Sequence, residues 1–156
     1  MKISTLIFIT GFIACYLIDC STTQNLAGRQ ISKIEQDIDS VFSLMVKAAE
    51  NMDTGELQRG VDDRYQAGFI TNGIYYAQFD SLMKNFINRS KGVLRQTIIF
   101  QQKKITVLSG SVALLTACGE ASVDLADGRT IKANFFWSFV YARINDQWKV
   151  IQSHQS

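Results

Sequence analysis

The sequence predicts an α+β fold, with helices first and an antiparallel sheet second, and three observations predict it. Apolar residues step by three and four from Ile31 to Met52, and again from Phe79 to Ile87, which is the spacing of one helix face. From Leu94 onward the chain divides into four strand-like runs. Short turn signals separate them: Ser109-Gly110, Asp127-Gly128 and Asn145-Asp146.

Each element follows from local chemistry. Ile31, Ile34, Ile38, Val41, Phe42, Met45, Ala48, Ala49 and Met52 form one stripe, while Lys33, Asp37, Lys47 and Glu50 lie off it. After a break at Asn51–Gly55, Thr54 is positioned to cap a short second helix through Arg59, with Gly60 just past its end. The stretch Tyr65–Tyr76 reads as two short strands around the Asn72-Gly73 turn. Phe79, Leu82, Met83, Phe86 and Ile87 make the third helix, which Gly92 ends. The meander then runs Leu94–Leu108, bent near Gln101–Lys104, and continues Val112–Leu125, Thr130–Arg143 and Gln147–His154.

At 156 residues there is room for one domain, expected over residues 31–156, preceded by a targeting segment. Met1-Lys2 and the apolar run Ile3–Ile18 match a secretory signal and fall short of the roughly 20 residues a membrane span needs. Residues 1–20 are thus expected to direct export to a bacterial periplasm or membrane surface, with 21–30 as a polar tether. Cys15 and Cys20 each resemble the cysteine of a lipobox; lipidation at either one, or plain cleavage, fits the segment. Only Cys118 then remains in the folded part, which excludes a disulfide framework and suits a small buried apolar residue.

Composition narrows the partners. Lys and Arg total 16 against 14 Asp and Glu, for a net charge of +2, and Lys103-Lys104 is the only adjacent basic pair. That is no footprint for nucleic acid, whose phosphates demand clustered cations. One histidine and scattered carboxylates offer no recognisable metal set, and no motif calls for a cofactor.

If the hairpin turns have two residues each, Phe135, Trp137, Phe139, Tyr141, Val150 and His154 share a face with Leu114, Thr116, Cys118 and Glu120. The opposite face then carries Ala113, Leu115, Ala117 and Gly119 with Asn134, Phe136, Ser138, Val140, Ile151, Ser153 and Gln155. On this register the small-residue face receives the helices. The aromatic face, with Phe135, Trp137, Phe139 and Tyr141, is left for a symmetric homodimer. The alternative is that the first helix wraps the aromatic face.

The element order, Gly68–Gly73 before the third helix, Ile105–Ala113 at the first meander turn, and the ending Asp146–Ser156 together resemble the NTF2-like superfamily, specifically its SnoaL-like and DUF4440-type domains. The resemblance spans about Ile31 to Ser156. It implies a cystatin-like cone, a curved antiparallel sheet of four to six strands folded around helices, with a pocket inside and dimerisation through the sheet. The superfamily includes isomerases, cyclases, dehydratases, association modules and many members without known activity. In its catalytic members a carboxylate or histidine base stands in the pocket with a donor for an enolate-like oxygen. Asp63, beside Asp62, and His154, oriented by Glu120 or Trp137, are the candidates here; Gln152 replaces the first histidine of the usual closing run.

A pocket for a small, partly apolar molecule is expected to use Tyr65 and Phe69 as aromatic wall, with Phe136 and the neutral groups of Asn134, Ser138, Ser153 and Gln155. Binding without catalysis is the leading expectation. A SnoaL-like enzyme using Asp63 or His154, and a dimeric interaction module with a filled pocket, are the alternatives.

Overall fold

The structure, a computed structural model, describes residues 26–156. The apolar leader with Cys15 and Cys20 lies outside the described residues. Three helices precede and interrupt a six-stranded sheet: α1 (Gly28–Glu50), α2 (Thr54–Arg59), β1 (Phe69–Thr71), β2 (Ile74–Tyr76), α3 (Phe79–Arg89), β3 (Val93–Ser109), β4 (Val112–Leu125), β5 (Thr130–Ile144) and β6 (Gln147–Gln155). The strand order is β2-β1-β6-β5-β4-β3, and β1 runs parallel to β6 while all other neighbours are antiparallel. The expected α+β class and curved sheet are what the chain adopts. Residues 28–30, expected in a tether, already belong to α1.

Helix α1 buries Ile34, Ile38, Phe42 and Ala48, members of the stripe its sequence spacing marks. Fully burying each large member is worth about 1.5–3 kcal/mol. Helix α2 is capped by Asp53, whose carboxylate accepts the Glu56 N–H at 3.0 Å; Thr54, the expected cap, is the first helical residue instead. Helix α3 has no cap from its own Gln78. Asp63, reaching from the preceding loop, accepts the Phe79 N–H at 3.0 Å. The Glu50 carboxylate, on the last turn of α1, accepts the Ile98 N–H at 2.8 Å and ties the helix to strand β3. Strand β3 has a register break between Phe100 and Gln102, the bend expected near Gln101–Lys104.

The face assignment differs from the two-residue expectation at two places. Between β4 and β5, Leu125 N–H bonds to the Arg129 carbonyl and Gly128 N–H to the Leu125 carbonyl, with Gly128 at φ +85°. The loop is therefore Ala126-Asp127-Gly128, a three-residue turn with glycine in the left-handed position. One extra loop residue moves the pairing by one, so Cys118 faces Phe136, Ala117 faces Trp137 and Gly119 faces Phe135. Between β5 and β6 the Asn145-Asp146 turn holds and Tyr141 pairs with Val150. A bulge at Ile151 then pairs Phe139 with Ser153, Ser138 with His154, and Trp137 with Gln155.

Consequently Phe135, Trp137, Phe139 and Tyr141 lie on the same face as Ala113, Leu115, Ala117 and Gly119, and that face receives the helices. Phe135, Phe139 and Tyr141 are buried, and Trp137 packs against the core. The expected dimer face is thus the inner wall of the fold. The pairing suits the volumes, because small β4 residues leave room for the β5 rings and for α1. Phe42 of α1 meets Phe100 and Phe139 at centroid distances of 5.3 and 5.7 Å, and Phe135 stacks on Trp137 at 4.2 Å.

Candidate functional site

Between the helices and the inner sheet face lies a partly enclosed cavity of ≈ 130 Å³. Helix α1 contributes Phe42, Met45, Val46 and Ala49; α2 and the following loop contribute Leu57 and Val61; α3 contributes Phe79, Leu82, Met83 and Phe86. The sheet side supplies Gln96, Trp137, Phe139, Val150, Ser153 and Gln155. None of these side chains titrates. The polar handles are the Gln96 and Gln155 amides, the Ser153 hydroxyl and the Trp137 N–H.

Ser153 is 2% exposed, and among the described residues its hydroxyl makes no hydrogen bond to the protein, although no fully occluded polar atom is left unsatisfied. A hydroxyl in that condition opens onto the cavity. It is there because the Ile151 bulge turns Ser153 and Gln155 inward; a straight β6 would have put His154 opposite Trp137.

The other candidates fall elsewhere. Asn134, Phe136 and Ser138 lie on the outer face, where Phe136 is 63% exposed. Tyr65 is exposed, and Phe69 is buried behind Phe79 at a centroid distance of 5.2 Å without lining the cavity. His154 is exposed on the outer face opposite Ser138, away from the cavity. Asp63 borders a surface cleft with Gln58, Arg64 and Asp80. Neither Asp63 nor His154 lines the inner cavity. Asp62 accepts a paired hydrogen bond from the Arg64 guanidinium at 3.0 and 2.7 Å; that bond holds its carboxyl below the usual range, against the opposing effect of burial. Among the described residues no group of three or more His, Cys, Asp or Glu is placed to hold a metal ion.

Sequence reasoning thus found Ser153 and Gln155 but missed Trp137, Phe139 and Gln96. The helical half of the lining was legible, since Phe42, Met45, Ala49, Leu82, Met83 and Phe86 are stripe residues.

Solved structures share this architecture. A nuclear transport factor 2 (NTF2-like) superfamily protein from Salmonella enterica serovar Typhimurium matches with a TM-score of 0.72 at 19% identity, covering 81% of this chain and 92% of its own. The fold is NTF2-like. A candidate scytalone dehydratase from Novosphingobium aromaticivorans matches with a TM-score of 0.74 at 10% identity, over 83% of this chain and 87% of that one. The association domain of CaMKII from C. elegans does so with a TM-score of 0.66 at 14% identity, over 80% and 96%. No family model and no curated protein matches the sequence. Enzymes and an association domain thus share one scaffold, so function has to be argued from the site.

Proposed function

We propose that this protein binds one small, uncharged, largely apolar molecule in the inner cavity and carries out no reaction on it. The supporting observation is the lining: an apolar wall with a few neutral hydrogen-bonding groups and no titratable side chain. An ion entering it would lose its hydration without meeting a counter-charge, which costs far more than burying a neutral group. Proton transfer has no donor or acceptor in place, because a general acid or base must stand within hydrogen-bond reach of the reacting atom. A dry cavity of about 150 Å³ is known to hold a benzene ring. A monocyclic molecule with one hydrogen-bonding group, directed at Ser153, is therefore the size and chemistry that fits.

Trp137 lines the cavity whereas Trp148 does not, so the Trp148→Phe protein reports occupancy through Trp137 fluorescence. Phenol and cyclohexanone should quench or shift it saturably, and benzoate at neutral pH should not. Ser153→Ala should weaken phenol by about fivefold, the worth of one neutral hydrogen bond of about 1 kcal/mol. Binding of benzoate as tight as that of phenol, or no binding of either neutral probe, would overturn the proposal.

A second reading concerns self-association. The exposed Phe136 stands on the outer sheet face opposite half-buried Cys118, and half-buried Leu114 and Val140 pair further along the same face. The likeness to an association domain supports the same direction. We infer that copies of the chain pair through this face, in place of the inner aromatic residues.

A further inference from the structure

A second depression lies outside the fold, between α1, α2 and the β5–β6 hairpin, bounded by Val41, Leu44, Gly60, Trp148 and several charged residues. Met45 is the one described residue that lines both this groove and the inner cavity. The Tyr141 hydroxyl donates to its thioether across 3.7 Å, a weak bond to sulfur, and the backbone of Gly60 lies beside it. A Cβ on Gly60 would stand 3.1 Å from both the Met45 Cγ and Sδ, so the absence of a side chain there gives Met45 its room. Gly60 is itself fixed to the sheet, its carbonyl accepting the Val150 N–H at 2.9 Å.

We infer that Met45 is a movable partition that sets the length of ligand this protein accepts. It rests on the binding reading above. With the side chain in the observed position, the ligand ends at the thioether. An unbranched side chain with three rotatable bonds can swing aside, giving up the Tyr141 hydroxyl's bond to its sulfur, and the cavity then continues into the groove past Gly60. The ligand class this admits is a neutral ring carrying an unbranched apolar tail, the ring held near Ser153 and the tail directed toward Met45. Val41, Leu44 and Trp148 would receive the part of the tail that passes the partition.

The test is a series of 4-alkylphenols of increasing chain length, titrated by calorimetry against the protein with both tryptophans in place and against three single variants of it. Affinity in the parent should rise by about fourfold for each methylene buried and then level off where the tail meets Met45. Met45→Ala should move that limit to longer chains. Met45→Leu, similar in volume but branched, should keep the parent limit and shows that substitution alone does not matter. Gly60 has φ −76°, which alanine adopts freely, so Gly60→Ala should fold, with its methyl crowding the thioether and narrowing the way past residue 60. Dissociation of the longest bound phenol should then slow relative to the parent. The partition idea is overturned if phenol binds everywhere but Met45→Ala has the limit of Met45→Leu, or if Gly60→Ala leaves the rate unchanged. Failure of every phenol to bind the parent would overturn the binding reading along with it.

Discussion

Asp62 and Asp63 are adjacent carboxylates with different partners. Asp62 is paired with Arg64 at the surface, while Asp63 turns inward and completes the first turn of α3 by accepting the Phe79 N–H. The four N-terminal N–H groups of a helix need acceptors, and a carboxylate there also meets the positive end of the helix dipole. Gln78, in the cap position, leaves this to a residue 16 positions from Phe79. Asp63→Ala should therefore cost about 1 kcal/mol of stability in urea unfolding, the usual worth of a cap, whereas Asp63→Asn keeps an acceptor oxygen and should lose only a few tenths. Phenol affinity should be unchanged in the Asn variant, since Asp63 is not part of the cavity wall. A large loss of binding with stability retained would mean that this carboxylate serves the site and not the helix.

At the scale of elements, the β3–β4 pair depends on Gly119. A Cβ there would lie 2.0 Å from the Ile99 carbonyl oxygen and 2.9 Å from the Phe135 ring, so neither backbone nor core can accommodate it. Gly119→Ala should destabilise by about 2–3 kcal/mol, as overpacking of a tight site does. Gly128→Ala meets no atom within 4 Å. It should lose only the roughly 1–2 kcal/mol of placing a side chain at positive φ. Equal losses in urea melts would mean that β3 yields easily around Gly119.

The same elements show what a reader of the sequence can and cannot obtain. Helix stripes and strand limits were legible because period and turn residues are local; β4 spans Val112–Leu125, where the turn signals put it. The inward side of each strand was not, because it depends on the parity of a loop and on one bulge. Asp127-Gly128 is equally compatible with two or three loop residues, and nothing in Lys149–Ser153 announces the extra residue at Ile151. Those two single-residue events put Trp137 and Phe139 inside, Ser138 and His154 outside, and Ser153 in the cavity wall. The cavity therefore stands on the register, and the register on two positions of weak signal.

For the whole molecule, the curved sheet separates two surfaces, to which the proposed function gives independent duties. The inner face is closed by the protein's own helices, so the cavity needs no second copy to complete it. The outer face holds Phe136, which is 63% exposed and belongs to no part of the core cluster. A stable pair of chains commonly buries about 800 Å² on each, with large apolar side chains near its centre. Residues 26–156 should accordingly show a mass that rises from monomer toward dimer with concentration in sedimentation equilibrium. Phe136→Asp should remain monomeric across the same range, since two facing carboxylates would be desolvated without partners. Because that side chain is mostly exposed and outside the core cluster, the variant should unfold close to the parent's urea midpoint and bind phenol with the parent's affinity. A parent that stays monomeric, or a dimer indifferent to Phe136→Asp, would remove the outer face from the account. A dimer whose loss also abolished phenol binding would instead show that the two surfaces are coupled, and that the sheet must be held from outside for the cavity to keep its shape.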